Sequence, residues 1–333
     1  FWSSEEIDNN PGGNMISDSG FLGIPVGDLV TVLPPAAAGF RTPSLINYDN
    51  ETWAVFAQGS WHFNESWSLT LGGRYGEEDK EAEQFNYASV TQAPAGLISQ
   101  DEFDALQGTI HDLQLVDGIG QISDNDTWDE FTPTASLSYN IDQAMLGISE
   151  INSLLLYGTW SEGFKAGGFT RLADEFGTFD PENVTNYEVG MKLDALDRML
   201  RVNLALYYME YDDMQVTVTR LINEIQTAVG IANAGDATMQ GAELEVNYLP
   251  TAQWLLTLSA NYIDAEYDEF NDLALNPATG EFDVVDRSDE DFAYVPETTF
   301  SASAQYSWDT DIGDFSARAS YYYKDDIFIA LSG

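Results

Sequence analysis

One stretch of the chain combines cationic and aromatic side chains at close spacing. Its members are Trp160, Phe164, Lys165, Phe169 and Arg171. The two cations can attract an anionic ligand, and the rings can stack on flat rings or sugars. The stretch is therefore a candidate ligand-binding site. The alternative is that Gly163, Gly167 and Gly168 shape a loop in which the two cations only offset neighbouring acidic residues.

Two acidic runs raise the question of a calcium site. Residues 124–130 read Asp-Asn-Asp-Thr-Trp-Asp-Glu, and residues 286–291 read Asp-Arg-Ser-Asp-Glu-Asp. The first run lacks the glycine at the sixth position and the distal glutamate of an EF-hand loop, and the second is similar. We therefore predict no metal site, with a loop-bound divalent cation as the alternative.

The sequence carries none of the common enzyme signatures. It has no P-loop, no His-Glu-x-x-His and no Gly-x-Ser-x-Gly, and its two histidines, His62 and His111, lie far apart. It has no cysteine, which excludes disulfides and thiolate metal sites. Carboxylates are plentiful, but nothing singles out a catalytic pair. We predict neither an enzyme nor a bound cofactor.

The net charge limits the kinds of partner that the chain can bind. The chain has 333 residues, with 56 acidic against 12 basic side chains and a net charge of -44. Such a field disfavours nucleic acid and anionic membrane surfaces, and it fits cations, cationic ligands or a high-salt medium. The alternative is a solvated surface that only aids solubility. No apolar run approaches the roughly 20 residues of a membrane helix, although strands that are half polar can still cross a bilayer.

A two-residue alternation of apolar and polar side chains recurs along the chain. Between Phe300 and Trp308, one face is apolar and aromatic while the other carries three serines and Gln305. Successive side chains of a strand point to opposite faces, so the segment predicts a strand. Its polar face has no bulky apolar side chains that could pack in a core. A first hairpin is predicted from Thr52 with a turn at 64–66. Further strands are predicted over 128–140, 152–162, 183–194, 198–218, 236–248, 253–267, 294–308 and 314–324.

The connections between these strands alternate strictly in length. Short connections are expected near 64–66, 141–151, 195–198, 249–252 and 309–313, and long ones near 78–126, 163–182, 219–235 and 268–292. A capping box at 99–102 predicts a short helix over 100–115 in the first long connection. Strand ends are rich in tryptophan and tyrosine, as at Trp53 and Trp61. This combination is typical of outer-membrane barrels. It predicts an all-β fold, an antiparallel transmembrane β-barrel fragment of about ten strands with long extracellular loops.

Four segments resemble the TonB-dependent outer-membrane receptors in order and spacing. They are Tyr157-Gly-Thr-Trp-Ser-Glu-Gly-Phe-Lys-Ala-Gly-Gly-Phe169, then residues 179–192 from Phe179-Asp-Pro-Glu, residues 201–215 ending in Tyr-Asp-Asp-Met-Gln215, and residues 233–245 from Asn233-Ala-Gly-Asp. The resemblance covers residues 50–324. It implies part of a 22-stranded barrel, with an extracellular loop over 1–49, strands and loops over 50–324, and the start of the next loop over 325–333. We expect an internal fragment from which the plug domain is absent.

The resemblance also implies a function in the bacterial outer membrane. Receptors of this family import scarce nutrients, most often ferric siderophores, with energy from the partner protein TonB, which grips a motif ahead of the plug. The implied partners are therefore TonB, outer-membrane lipid and an iron chelate, and not nucleic acid. Alternatives are a passive diffusion channel, uptake of haem, cobalamin or saccharides by the same fold, and a surface adhesin or signalling receptor.

A polar set on the strands is expected to face the lumen and contact the plug or the solute. The set comprises Arg74, Tyr157, Glu188, Lys192, Arg201, Tyr207, Glu243, Glu245, Asn261 and Arg318. The alternative is that these side chains only hydrate the wall.

Overall fold

The computed structural model describes residues 16–17, 23–26, 29–32, 40–86, 89–90, 121–171, 176–223, 226–276 and 278–329. Strands dominate these ranges. The elements are β1 (Ile16–Ser17), β2 (Gly23–Val26), β3 (Leu29–Val32), β4 (Phe40–His62), β5 (Trp67–Asn86), β6 (Ser89–Val90), β7 (Gln121–Asp142), α1 (Gln143–Leu146), β8 (Ile151–Lys165), β9 (Gly168–Arg171), β10 (Phe176–Phe179), β11 (Glu182–Ala195), β12 (Leu200–Asn223), β13 (Gln226–Tyr248), β14 (Trp254–Leu275), β15 (Phe282–Asp286), β16 (Thr298–Thr310) and β17 (Gly313–Lys324).

The long strands form one continuous antiparallel sheet. Its order is β4-β5-β7-β8-β11-β12-β13-β14-β16-β17, so each long strand pairs with the next one along the chain. The short strands β1 and β6 add to the beginning of β4, and β15 pairs with the outer end of β14. β2 with β3, and β9 with β10, form separate hairpins. The predicted all-β antiparallel architecture is confirmed.

The pairing register gives the sheet two faces of opposite character. On one face Leu206 lies opposite Val189 and Ala242, and on the other Glu188 lies opposite Thr159 and Tyr207. Because side chains alternate, each face keeps its character from β4 to β17. Large side chains of the first face are open to the surroundings, with Val189 58% and Leu206 47% exposed. We call these surfaces the apolar face and the polar face.

Aromatic pairs mark both ends of the apolar face. Trp53 and Tyr75 lie 5.5 Å apart between ring centroids at the end with the long connections. At the other end, Trp67 stacks on Tyr139 at 4.4 Å. Trp53 and Trp61 lie on the same face of β4 at a separation of roughly 26 Å, from about 3.3 Å per residue. That span matches the roughly 25 Å apolar band of outer-membrane barrels.

Carboxylates follow directly beyond the aromatic pairs on this same face. The acidic band consists of Glu77, Asp129, Glu162, Glu210 and Asp264, on β5, β7, β8, β12 and β14. Aromatic side chains connect to it, since Trp53 Nε1 donates to Glu77 Oε1 at 2.8 Å and the Tyr75 hydroxyl donates to Asp129 Oδ2 at 3.0 Å. The apolar face therefore ends sharply in a row of charges.

Several strands extend well into the segments that were predicted to be loops. β4 begins at Phe40, inside the segment assigned as a loop, and β12 and β13 continue through most of 219–235 as a two-stranded arm. The alternating pattern ends where both faces meet water, whereas backbone pairing continues, so the sequence signal is lost before the strand ends. The short connections agree with expectation, and one of them contains the single-turn helix α1. The predicted helix over 100–115 lies outside the described residues.

Two apolar clusters form above the sheet, at the end with the long connections. The first core contains Ala82, Trp128, Ala166 and Phe169, and the second core contains Val216, Val218, Ala232 and Phe270. In the described parts of the chain, no helix has the length and apolar character that crossing a bilayer requires. The buried packing is thus concentrated where the loops are anchored.

Candidate functional site

All ten residues predicted to face the lumen lie on the polar face, as the strand register requires. Several are tied to the wall beside them. The Tyr157 hydroxyl donates to Glu188 Oε1 at 2.6 Å, and Lys192 Nζ lies 5.8 Å from the centroid of the Tyr157 ring. Asn203 donates to Glu245 Oε2 at 3.2 Å. The polar face therefore presents fixed hydrogen-bonding groups of both charges.

Three arginines of this set lie far apart on the described wall, on β5, β12 and β17. Arg201 pairs with Asp194 beside a short turn, with Nε 2.8 Å from Oδ1. Arg318 on β17 donates to Ser303 Oγ at 3.0 Å. Arg74 lies opposite Phe56 and Thr132. The set is thus spread over the sheet and does not converge on a single point.

The cationic and aromatic stretch at 160–171 is not gathered into one surface. Trp160 lies on the apolar face, opposite Ala135 and Tyr187, because it is an even number of residues from the other apolar members of β8. Phe169 is buried in the first core, and Phe164 packs against that core. Lys165 is exposed, and Arg171 belongs to β9 with a side chain outside the described set.

The β9–β10 hairpin is held against β5 and β7. The rings of Phe169 and Trp128 meet edge to face at 5.7 Å. Lys80 Nζ donates to the Gly167 carbonyl at 2.9 Å and lies 5.5 Å from the Trp128 ring centroid. A Cβ on residue 167 would come within 2.4 Å of Trp128 Nε1, so only glycine allows this close approach. The hairpin is a packed element.

Two side-chain amides fasten the base of this hairpin. Gln215 Nε2 donates to the carbonyls of Lys165, Ala166 and Asp180 at 3.3, 3.0 and 3.1 Å. Asn233 Nδ2 donates to the Asp180 carbonyl at 2.8 Å, and the Asp180 N–H donates back to Asn233 Oδ1 at 2.7 Å. The four segments that carry the family resemblance therefore meet here, because each contributes at least one partner to this amide clamp of Gln215 and Asn233.

A cleft opens beside the β12–β13 arm, at the same end of the sheet. It has a volume of about 920 Å³ and lies between β12, the outer part of β14 and the segment 287–294. Met214, Val218, Phe270, Phe282 and Phe292 are among its apolar lining residues. Its floor carries an ion pair between Arg287 NH2 and Asp272 Oδ2 at 3.1 Å.

The ion pair is fixed in place by the backbone. Asp272 is only 9% exposed, and its Oδ1 accepts from the N–H groups of Thr219 and Leu273, both at 2.7 Å. Arg287 NH1 pairs with Glu290 Oε1 at 3.2 Å. Arg287 Nε is buried and has no hydrogen-bond partner within the described chain. The Nε–H of the guanidinium therefore remains without a hydrogen-bond partner.

Aromatic groups form one wall of the cleft. The Tyr267 ring stacks on Phe292 at 3.9 Å between centroids. Burial raises the pKa of the Tyr267 phenol, and the nearby charge of Glu290 raises it further, so the hydroxyl stays protonated. Tyr294 at the rim adopts a left-handed backbone with φ of 64°, which is uncommon for a residue other than glycine.

Little in the amino-acid sequence indicates this cleft. Its lining residues come from six separated stretches of the chain, and in the sequence Arg287 stands out only as a member of an acidic run. Within the described residues, no three acidic or histidine side chains gather around a point. In the other run, Asp126 and Asp129 lie on opposite faces of β7 and cannot share an ion.

Comparison with known proteins identifies the fold. The family model described as TonB dependent receptor-like, beta-barrel, matches residues 14–330. The chain belongs to the TonB-dependent receptor β-barrel family. The apolar face of this receptor barrel accordingly faces the lipid of the bacterial outer membrane, and the family is one of receptors and transporters, not enzymes.

Two solved receptors share the fold at low sequence identity. The ferric yersiniabactin uptake receptor FyuA from Yersinia pestis has a TM-score of 0.56 and 17% identity, covering 85% of this chain and 35% of FyuA. The siderophore receptor PiuA from Acinetobacter baumannii has a TM-score of 0.54 and 15% identity, covering 84% of this chain and 37% of PiuA.

Comparison with curated sequences finds a relative with higher identity over a shorter stretch of the chain. The metal-pseudopaline receptor CntO of Pseudomonas aeruginosa is 33% identical over 119 residues, which are 36% of this chain and 16% of that receptor. This receptor barrel thus spans only a minor part of the relatives that it matches.

Proposed function

We propose that this barrel is the wall of a receptor that imports a scarce nutrient by TonB-dependent active transport, and that the nutrient is a ferric siderophore or similar iron chelate. In this proposal the polar face lines the lumen, and its charged side chains contact a plug domain or the solute. TonB is the energy-coupling partner, and the nutrient binds at the end that carries the long connections.

The observation that carries the proposal is that the apolar face, the polar face and the packed outer end occupy separate parts of the wall. A lipid-compatible apolar face of bilayer height is backed by a polar face with fixed groups of both charges, such as Glu188 and Lys192. Among the described residues, the two packed cores and the cleft lie at the end with the long connections. Such a wall suits a solute that is captured outside and passes along a wet lumen. The iron chelate is supported by relatives that are named as siderophore and metal-pseudopaline receptors.

Uptake by the full-length receptor tests this proposal. Cells with and without the receptor gene would be starved of iron and supplied with 55Fe bound to a panel of siderophores. We expect at least one chelate to be taken up only by cells that carry the receptor, and an uncoupler of the proton-motive force to abolish that uptake. Uptake that persists in de-energised cells would show a passive channel. Equal uptake of every chelate with and without the gene would remove iron chelates as the substrate.

A further inference from the structure

We infer that a groove on the apolar face, centred on Gly158, binds one membrane lipid whose head group carries a primary ammonium. The acyl chain lies in the groove, and the ammonium lies against the carboxylates of Glu162 and Glu210 at the outer rim. The inference goes beyond nutrient import. It depends on the family membership, which places this face in the lipid of the outer membrane, and not on the identity of the solute.

The groove exists because a glycine interrupts a row of large apolar side chains. Gly158 lies opposite Leu137 on one side and Val189 on the other. A Cβ at Gly158 would approach the Glu188 carbonyl oxygen and Val189 Cγ1 only to 3.9 Å, so the space above the glycine is open. The groove has a volume of about 560 Å³, within the roughly 300–1,000 Å³ of small-molecule sites. Its walls also include Ala135, Trp160, Tyr187, Leu206 and Tyr208.

An acyl chain is the occupant that this position supplies. The groove lies between the two aromatic ends of the apolar face, and its walls are open to the surroundings, with Leu137 44% and Tyr187 48% exposed. A chain in the groove makes the van der Waals contacts that the missing side chain of Gly158 leaves unmade. Because the groove is concave, a chain there contacts more of the wall than a chain on the flat parts of the same face.

The strand register places a polar rim directly outward of the groove. On β8, β11 and β12, the row next to Gly158 consists of Trp160, Tyr187 and Tyr208, and the row beyond it consists of Glu162, Thr185 and Glu210. Neighbouring strands lie about 4.8 Å apart, so the two carboxylates flank the Thr185 hydroxyl from either side. The three side chains can therefore converge on one small group above Thr185.

The charge of this rim selects an ammonium. Glu162 and Glu210 are exposed, and among the described residues neither forms an ion pair. An ionised carboxylate at the edge of hydrocarbon is unfavourable without a partner of opposite charge. A primary ammonium brings three N–H donors, which match two carboxylates and one hydroxyl, and the aromatic row beneath also attracts cations. An anionic head group would be repelled by the same two carboxylates.

Lipid binding to the delipidated full-length receptor tests the inference. Phosphatidylethanolamine carries a primary ammonium, whereas phosphatidylglycerol with the same acyl chains is anionic. Native mass spectrometry in the presence of EDTA would give the affinity of the first lipid that binds. We expect phosphatidylethanolamine to bind at least fivefold more tightly, and Glu162→Gln with Glu210→Gln to abolish that preference. Asp309→Asn with Asp314→Asn removes two exposed carboxylates from the polar face at a short turn, and this matched control should keep the preference.

Gly158→Leu tests the groove separately from its rim. The leucine side chain would occupy the groove and should weaken phosphatidylethanolamine binding at least threefold. Gly59→Leu is the matched control, because Gly59 also lies on the apolar face and has open space above it.

Equal affinities of the wild type for the two lipids, or tighter binding of phosphatidylglycerol, would overturn the inference. A preference that persists in the folded double glutamine variant, or unchanged binding in Gly158→Leu, would also overturn it. Failure of the iron-uptake experiment would leave the lipid result intact, because lipid binding does not depend on the solute.

Discussion

The ring of Tyr157 lies against Gly190 of the neighbouring strand, where a Cβ would come within 2.5 Å of the ring carbon and the hydroxyl. The same relationship recurs two strands further on, where Tyr207 lies over Gly241 and a Cβ would come within 2.3 Å of the hydroxyl. Each tyrosine thus fills the space left by a missing side chain on the adjacent strand. The glycines of two family-like segments are explained by these contacts inside the wall.

Replacing Gly190 with alanine should destabilise the wall. The new methyl group would displace the Tyr157 ring and weaken its 2.6 Å hydrogen bond to Glu188, at a cost of about 1–3 kcal/mol. Gly59→Ala is the matched control, because a Cβ there meets nothing within 4 Å. Thermal unfolding of the full-length receptor, followed by heat-dependent mobility on gels, would measure both. Equal unfolding temperatures for the two variants would contradict the steric argument.

Removing the amide clamp should loosen the β9–β10 hairpin. The double variant Gln215→Ala, Asn233→Ala deletes the bonds that hold the hairpin base, at about 1 kcal/mol for each bond. We expect trypsin to cleave after the exposed Lys165 at least tenfold faster, because losing one or two of these bonds already eases the opening equilibrium by on the order of 1.4 kcal/mol, which is a tenfold change. Gln305→Ala, whose amide contacts only a neighbouring serine on β16, serves as the control. An unchanged cleavage rate would mean that the first core alone holds the hairpin.

The two faces predict opposite behaviour for two tryptophans. Trp160 belongs to the lipid-facing side, whereas Trp128 is 7% exposed in the first core. Brominated lipids quench indoles that lie near the acyl chains. The quenchable part of the fluorescence should therefore fall in Trp160→Phe and stay unchanged in Trp128→Phe. If quenching fell in Trp128→Phe and not in Trp160→Phe, Trp160 would not face lipid. The predicted ligand-binding surface that combines it with the cations at 165 and 171 would then be supported.

The cations at 165 and 171 remain a candidate for attracting an anionic chelate. Lys165 is exposed at the base of the hairpin, and its carbonyl is held by Gln215 independently of its side chain. If these charges act on the ligand, Lys165→Ala, Arg171→Ala should weaken binding of an anionic iron chelate, with a larger effect at low salt. Arg198→Ala, which removes one cation from an exposed turn at the opposite end of the sheet, is the control. Affinity that is unchanged at low salt would exclude the two cations from binding.

The alternation of side chains made the wall predictable from sequence, and the same physics explains what was missed. The segment from Phe300 to Trp308 lies between lipid and water, so its two faces differ in composition. The strand can therefore be recognised in the sequence. The described parts of the β12–β13 arm extend beyond the lipid-facing band, so their pairing leaves no such pattern. The cleft depends on Asp272 meeting Arg287 across a turn, and a single sequence does not show which carboxylate meets which guanidinium.

The abrupt change from Tyr75 to Glu77 has a mechanical consequence for the receptor in its membrane. Sliding the wall inward by one residue pair would carry the carboxylates of Glu77, Asp129 and their neighbours towards hydrocarbon, where ionised groups are unfavourable. Sliding it outward would lift Trp61 and Trp67 out of the opposite interface. The barrel is thus held at one depth in the bilayer, and in the proposed importer any force transmitted to its interior would act against a wall that resists shifting along the membrane normal.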